Sequence, residues 1–251
     1  MKTIVLTNQK GGVSKTTTAY ALATGLHNKG YKVLCIDLDP QSNLSFTAGY
    51  EEAEQTLYDV FKGNANTADV LTTIKPKLDL LTVGLAATAC DLELSGKVAR
   101  EYMLSEAING LNYDYAIIDT APTLNLLTMN ALTCADSVIV PLNAEIYSLQ
   151  GISQLAGFIE NIRKYTNKGL KVSGLLLCKY NDRLNISQAL NDSLQKAADV
   201  LDTIIYETKI RESVAVKETQ LLRSDLYSEA PQANATQDYL KFIDEFLSKE
   251  N

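Results

Sequence analysis

Gln9-Lys10-Gly11-Gly12-Val13-Ser14-Lys15-Thr16-Thr17 follows the short apolar run Thr3-Ile4-Val5-Leu6-Thr7 and opens the helix-forming run Thr18-Ala19-Tyr20-Ala21-Leu22-Ala23-Thr24-Gly25-Leu26. Strand, glycine loop, Lys-Thr and helix, in that order, is the context a phosphate-binding loop needs. The backbone N–H groups of such a loop form an anion nest, and the helix N-terminus adds a positive dipole end. Lys15 is then placed to reach the β- and γ-phosphates, and the Thr16 hydroxyl to hold Mg²⁺. The ordinary pattern G-x-x-x-x-G-K-[ST] asks for glycine where this chain has Gln9 and Ser14. The pattern that fits is K-G-G-x-x-K-T-[ST], with a second lysine, Lys10, at its start. At average residue usage such a match arises by chance on the order of 10⁻⁷ per starting position.

The bulk composition sets outer limits. A chain of 251 residues with 46% apolar residues can build a real core, as one large domain or two small ones. No stretch approaches the ~18 to 20 apolar residues that span a membrane. No charged and then apolar leader opens the chain, so a cytoplasmic location is expected. The cysteines, Cys35, Cys90, Cys134 and Cys178, are scattered without a C-x-x-C pair, which reads as buried, reduced thiols. His27 is the only histidine, which argues against a histidine metal site or a Ser-His-Asp triad. The net charge of −7 opposes strong nucleic-acid binding by a monomer, leaving only a local basic patch for that role.

Strand and helix patterns alternate along the chain. That predicts an α/β fold with a mostly parallel twisted sheet flanked by helices on both faces, in one domain over 1–251. Strands are expected at 32–37, 78–83, 114–119, 137–140 (closed by Pro141), 172–177 and 203–206. Helices are expected to end near Gly30 and to cover 56–61, 69–74, most of 89–108, 152–165 and 186–200. Asp37-Leu38-Asp39-Pro40-Gln41 lies at the carboxyl end of the second strand, where open α/β sheets bind ligands. Its two carboxylates suit positioning of an attacking water, indirect Mg²⁺ coordination, or both. An Asp-Pro turn alone would also account for them. Asp119 ends the apolar strand Ile117-Ile118, from which an acid can accept hydrogen bonds from Mg²⁺-bound water.

These motifs together resemble the deviant Walker A loop family of ParA/MinD ATPases, over nearly the whole chain and most strongly over 3–47 and 113–160. The resemblance implies a P-loop NTPase architecture that binds ATP and Mg²⁺. The nucleotide would be held by Lys10, Gly11, Gly12, Val13, Ser14, Lys15, Thr16, Thr17, Lys179 and Arg211. Metal contacts would come from Thr16, Asp37 and Asp119. Catalysis would fall to Asp39, which orients the water, with Lys15 and with Lys10 crossing to the partner's phosphates in an ATP-dependent homodimer. Ser14 stands where the family commonly has glycine and is expected to serve from an ordinary φ < 0 conformation. No N-K-x-D base-reading motif is present, so ATP is inferred from the family.

The resemblance also implies slow, partner-stimulated hydrolysis that segregates or positions a DNA cargo alongside a ParB-like DNA-binding activator, with a nucleoid location if the chain binds DNA. Arg183 matches a position where partition ATPases use arginine on DNA, while Ala215 replaces a second such arginine, near which Lys209, Arg211, Lys217 and Arg223 cluster in sequence. Binding to non-specific DNA is therefore expected of the dimer only. The alternative is a MinD-like or other cargo-positioning ATPase that does not act on DNA. Membrane attachment would need a basic amphipathic C-terminal helix. The stripe Ala235, Tyr239, Phe242, Ile243, Phe246 and Leu247 is instead flanked by a net acidic face, so it is read as packing on the sheet, and no membrane partner is expected. A nitrogenase-type iron protein would need cysteines in exposed glycine turns, and Cys90 and Cys134 lie in Ala/Leu/Thr-rich runs. A small-molecule ligase is disfavoured by Lys10 together with D-x-D-P-Q.

Overall fold

The computed structural model describes residues 1–51, 53–143, 149–180 and 188–250. The strands are β1 (Lys2–Leu6), β2 (Val33–Leu38), β3 (Thr72–Lys75), β4 (Leu78–Thr82), β5 (Tyr115–Thr120), β6 (Ser137–Asn143) and β7 (Lys171–Cys178). The helices are α1 (Lys15–Asn28), α2 (Asn43–Thr47), α3 (Leu57–Lys62), α4 (Cys90–Glu93), α5 (Met103–Ile108), α6 (Leu126–Cys134), α7 (Leu149–Tyr165), α8 (Gln188–Leu201), α9 (Val214–Leu221), α10 (Leu226–Glu229) and α11 (Asn234–Glu250). The strands form one seven-stranded sheet in the order β3-β4-β2-β5-β1-β6-β7, with only β3 antiparallel.

Side chains alternate across the pleat and supply two cores. Val5, Leu34, Ile36, Ile118, Val138 and Val140 face α3 and α5 to α8. Ile4, Leu6, Cys35, Ile117, Ile139 and Leu176 face α1, α2 and α11. Burial on both faces explains why the central strands read as continuous apolar runs rather than as alternating ones. The stripe of α11 is buried against α1, where a Cβ on Gly25 would collide with Ile243 and Tyr227. Among the described residues no helix is long and apolar enough to cross a membrane. All four cysteines are unpaired; Cys35, Cys90 and Cys178 are buried and Cys134 is half-buried.

Four expectations are corrected. Residues 69–74 are not a helix: a short 3₁₀ turn at Thr67–Asp69 leads into β3, which hairpins onto β4. The β-branched run Thr72-Thr73-Ile74 favours a strand, and Lys77 makes the turn at φ 69°. Residues 89–108 are broken into α4 and α5 around Ser95-Gly96 and a left-handed Ala99. β6 runs through Pro141 to Asn143. β1 pairs with it only as far as Ile139, so the missing proline N–H faces a side where no strand remains to be bonded. Residues 203–206 form only a bridge, Ile205 to Leu175, along the free edge of β7.

Candidate functional site

The carboxyl ends of β1, β2 and β5 open on one edge of the sheet, where the alternation sends Asp37 and Asp119 to the same face as α1. The two acids are direct register partners. The loop between β1 and α1 turns through two left-handed residues, Gly12 at φ 73° and Ser14 at φ 72°. Ser14 therefore does not take the φ < 0 conformation expected of it. Glycine is favoured at this position because the backbone must be left-handed there, and a Cβ makes that conformation costly by roughly 1–2 kcal/mol. Glycine's extra unfolded-chain entropy offsets roughly 0.5–1 kcal/mol of that. Ser14→Gly is thus expected to stabilise the free protein by up to about 1 kcal/mol in denaturant melts; a destabilised variant would contradict the strain at this residue. The first turn of α1 has no side-chain cap and no acidic residue, so its N–H groups and dipole are presented to an anion.

Around this turn the expected residues converge. Thr16 Oγ1 donates to Asp119 Oδ2 at 2.6 Å. Lys15 is buried, and its Nζ donates to the carbonyl of Lys10 at 3.1 Å. Burial lowers the pKa of Lys15, against the opposing charges of Asp119 and Asp39. Asp119 is pushed well above the usual carboxylate range by burial and then by the charge of Asp37, against the Thr16 hydroxyl and Lys15. Asp37 is raised by burial to about 6, with hydrogen bonds from Ser45 and the Asp39 N–H opposing. Its Oδ2 accepts from Ser45 N (2.9 Å) and Oγ (2.7 Å), and its Oδ1 from Asp39 N (3.2 Å). Asp37 thus fastens α2, and the acid brought to Thr16 is Asp119. Asp39, nearly buried, accepts from Gln41 N at 3.0 Å and lines the same cavity as Lys15 and Thr16.

Three polar side chains hold the loop. Asn8 accepts from Lys10 N (3.0 Å) and donates to the Pro141 carbonyl (2.8 Å). Lys179 Nζ donates to the Gly12 carbonyl at 2.7 Å, and Asn143 Nδ2 to the same oxygen at 3.4 Å. Lys179 was expected here; Asn8 and Asn143 were missed. Their one signal in the sequence is an amide directly after an apolar strand. Val13 is buried, so only its backbone faces the loop. Thr17 Oγ1 accepts from Gln220 Nε2 at 3.3 Å, which brings α9 over the loop. The far wall, from Ile210, Ser213, Val216 and Gln220, was also missed, because nothing local in 210–221 announces proximity to the loop.

The basic residues expected on a DNA face part company. Arg183 lies outside the described residues. Arg211 lines the cavity but is paired to Asp238, through Nε (2.8 Å) and Nη2 (2.7 Å). Lys217 is exposed and lines the cavity's rim. Lys209 is exposed, with its ammonium 4.9 Å from the centre of the Tyr180 ring. Arg223 binds the carbonyls of Phe46 and Tyr50. Arg211 is thus taken up by an acid and Arg223 by backbone carbonyls, while Lys209 and Lys217 remain exposed.

The residues fit a nucleotide with Mg²⁺. The cavity measures about 870 Å³ and is lined by Gly11, Gly12, Lys15, Thr16, Asp39 and Lys179, among others. Asp119 Oδ1 is buried without a hydrogen-bond partner, at the place where a hydrated cation beside Thr16 would need an acceptor. A Cβ on Gly11 or Gly12 would meet nothing within 4 Å, so packing within the chain requires neither glycine.

An AAA-domain family model matches residues 1–172. The chain is 35% identical over 250 residues to the sporulation initiation inhibitor protein Soj of Bacillus subtilis, covering 97% of each chain. It is 35% identical over 260 residues to the chromosome partitioning protein ParA of Caulobacter vibrioides, covering 100% of this chain and 95% of that one. Among solved structures, the cobyrinic acid a,c-diamide synthase of Mycobacterium smegmatis, with a bound ATP analogue and magnesium, superposes with a TM-score of 0.86 at 28% identity, covering 100% of this chain and 96% of that one.

Proposed function

Because the chain belongs to the ParA/Soj family of partition ATPases, we propose that it binds ATP with Mg²⁺, dimerises, and hydrolyses ATP slowly until a DNA-binding partner stimulates it, so as to segregate or position a DNA cargo. The observation that carries this reading is the convergence of Lys15, the Thr16–Asp119 pair and Asp39 around one left-handed loop. The N–H groups of the loop and of the first turn of α1 would cradle the phosphates, and Lys15 would hold their β and γ oxygens. Thr16 and Asp119 would hold the metal, which supplies charge neutralisation on the transferred phosphoryl group. Asp39 would orient the attacking water and accept its hydrogen bond. Lys179 and Asn143 would keep the Gly12 carbonyl turned away from the phosphates.

Lys10 is the residue an ordinary P-loop does not need. In this reading it reaches across a two-fold axis to the partner's phosphates. Light scattering should show an ATP-dependent dimer for the parent chain, and Lys10→Ala should remain monomeric while still binding nucleotide. A dimer of Lys10→Ala with ATP would count against the crossing role.

The ATP-bound dimer is further proposed to bind DNA without sequence preference. Two copies of Arg183 and Lys209 would double the phosphates contacted, each steepening log K against log salt by roughly 0.9. A gel-shift titration on two unrelated duplexes should show ATP-dependent binding that falls sharply with salt and weakens in Arg183→Glu. No ATP-dependent binding even at low salt would transfer the cargo to a non-DNA matrix.

A further inference from the structure

Arg223 stands in the left-handed region at φ 52°, just beyond the end of α9. Its Nη2 donates to the Tyr50 carbonyl at 2.7 Å and its Nε to the Phe46 carbonyl at 3.3 Å. The guanidinium lies 4.8 Å from the centre of the Phe46 ring, which remains 50% exposed beneath it. Phe46 belongs to α2, a helix of 5 residues. So short a helix has too few internal hydrogen bonds to hold its own place. Its other side-chain anchors are Ser45 on Asp37 and Leu44, which is buried in the core on the α1 face. α2 follows closely on Asp39 and shares the cavity with it through Phe46 and Thr47.

The adjoining wall of the cavity is α9, which packs beside α2 and touches the loop helix through Gln220 and Thr17. One short helix therefore bears on the ligand space along its length and, through the residue after it, on the segment that carries Asp39. We propose that Arg223 is a positioning residue that ties α9 to α2, so that a ligand filling the cavity against α9 fixes the place of Asp39. A planar fork with two donors and a stacking face suits this task, and a lysine would supply only the charge. The proposal rests on the nucleotide site proposed above and goes beyond it by linking the α9 wall of that site to its water-orienting acid.

The chain contains no tryptophan, so Phe46→Trp places a single fluorophore on α2. In that parent, without nucleotide, Arg223→Ala should lower the anisotropy of the introduced tryptophan, and Arg223→Lys should lower it less. ATP should change its emission in the parent and change it much less in Arg223→Ala. Single-turnover hydrolysis should fall about tenfold or more in Arg223→Ala, with ATP affinity kept within about threefold. Equal anisotropy and an equal response to ATP in all three proteins would overturn the tether. Loss of affinity, turnover and melting temperature together would also overturn it, since that is what a purely structural role produces. Loss of DNA binding with unchanged turnover would overturn it in favour of a nucleic-acid contact. If the parent itself binds no ATP, the nucleotide site falls, while the anisotropy without nucleotide still decides the tether.

Discussion

Lys15→Ala is expected to lose ATP binding by at least about 100-fold, since removing one partner of a buried charge contact costs roughly 2–5 kcal/mol and each 1.4 kcal/mol is tenfold. Lys15 is the first residue of α1, buried at the base of the left-handed loop, with its ammonium already turned back to the Lys10 carbonyl. Burial works against its charge, and the nearby carboxylates of Asp119 and Asp39 work for it. An anionic ligand adds to that favourable side, so the desolvation Lys15 already bears in the free protein is offset when phosphate arrives. Removing it would leave Asp119 and Asp39 facing a polyanion with no cation between them. Calorimetry with ATP and Mg²⁺ is the measurement, and a melt of the variant guards against misfolding. Unchanged affinity in a folded Lys15→Ala protein would remove the phosphate-loop assignment and with it the nucleotide site.

Asp39→Ala is expected to separate binding from chemistry. ATP affinity should stay close to the parent's, while turnover falls ~10²-fold or more, the usual scale for losing a positioned proton acceptor. The ATP-bound dimer should then persist. Asp39 sits on the cavity wall, with one oxygen holding Gln41 N and the other clear of any protein hydrogen bond described here. Asp37 cannot readily stand in for it, because Ser45 and the Asp39 N–H occupy both of its oxygens. Asp39→Asn keeps an acceptor for Gln41 N but loses the charge, and it should be slow as well. Single-turnover rates of both variants, beside light scattering with ATP, make the test. Turnover at the parent rate in Asp39→Ala would place the water-orienting role elsewhere.

Much of the site was legible in the order of residues. The loop at 9–17, the acids at the ends of β2 and β5, and the β/α alternation are local patterns, each completed within a single strand, turn or helix. That Asp37 and Asp119 share the face of α1 was decided by the structure, through the register that pairs them directly, since a slip of one residue would send them to opposite faces. Other features were not legible, because they depend on where distant segments meet. The left-handed turn at Ser14 is imposed by closure of the loop between β1 and α1 and overrides the preference of serine for φ < 0.

The basic residues make the same point. Arg211 finds Asp238, 27 residues away, and Arg223 finds Phe46 and Tyr50, 177 and 173 residues away. As a sequence cluster they read as one charged patch, but in the fold Arg211 is paired with an acid, Arg223 donates to two carbonyls, and Lys217 stays exposed beside the cavity. The sequence by itself determined the β/α alternation, the glycine loop after β1 and which acids end β2 and β5, because strand and helix periodicity and glycine geometry act over a few residues. Only the tertiary structure decided which cations face the ligand and which face the protein, because a side-chain charge settles against the nearest acceptor in space, and chain order does not encode that distance.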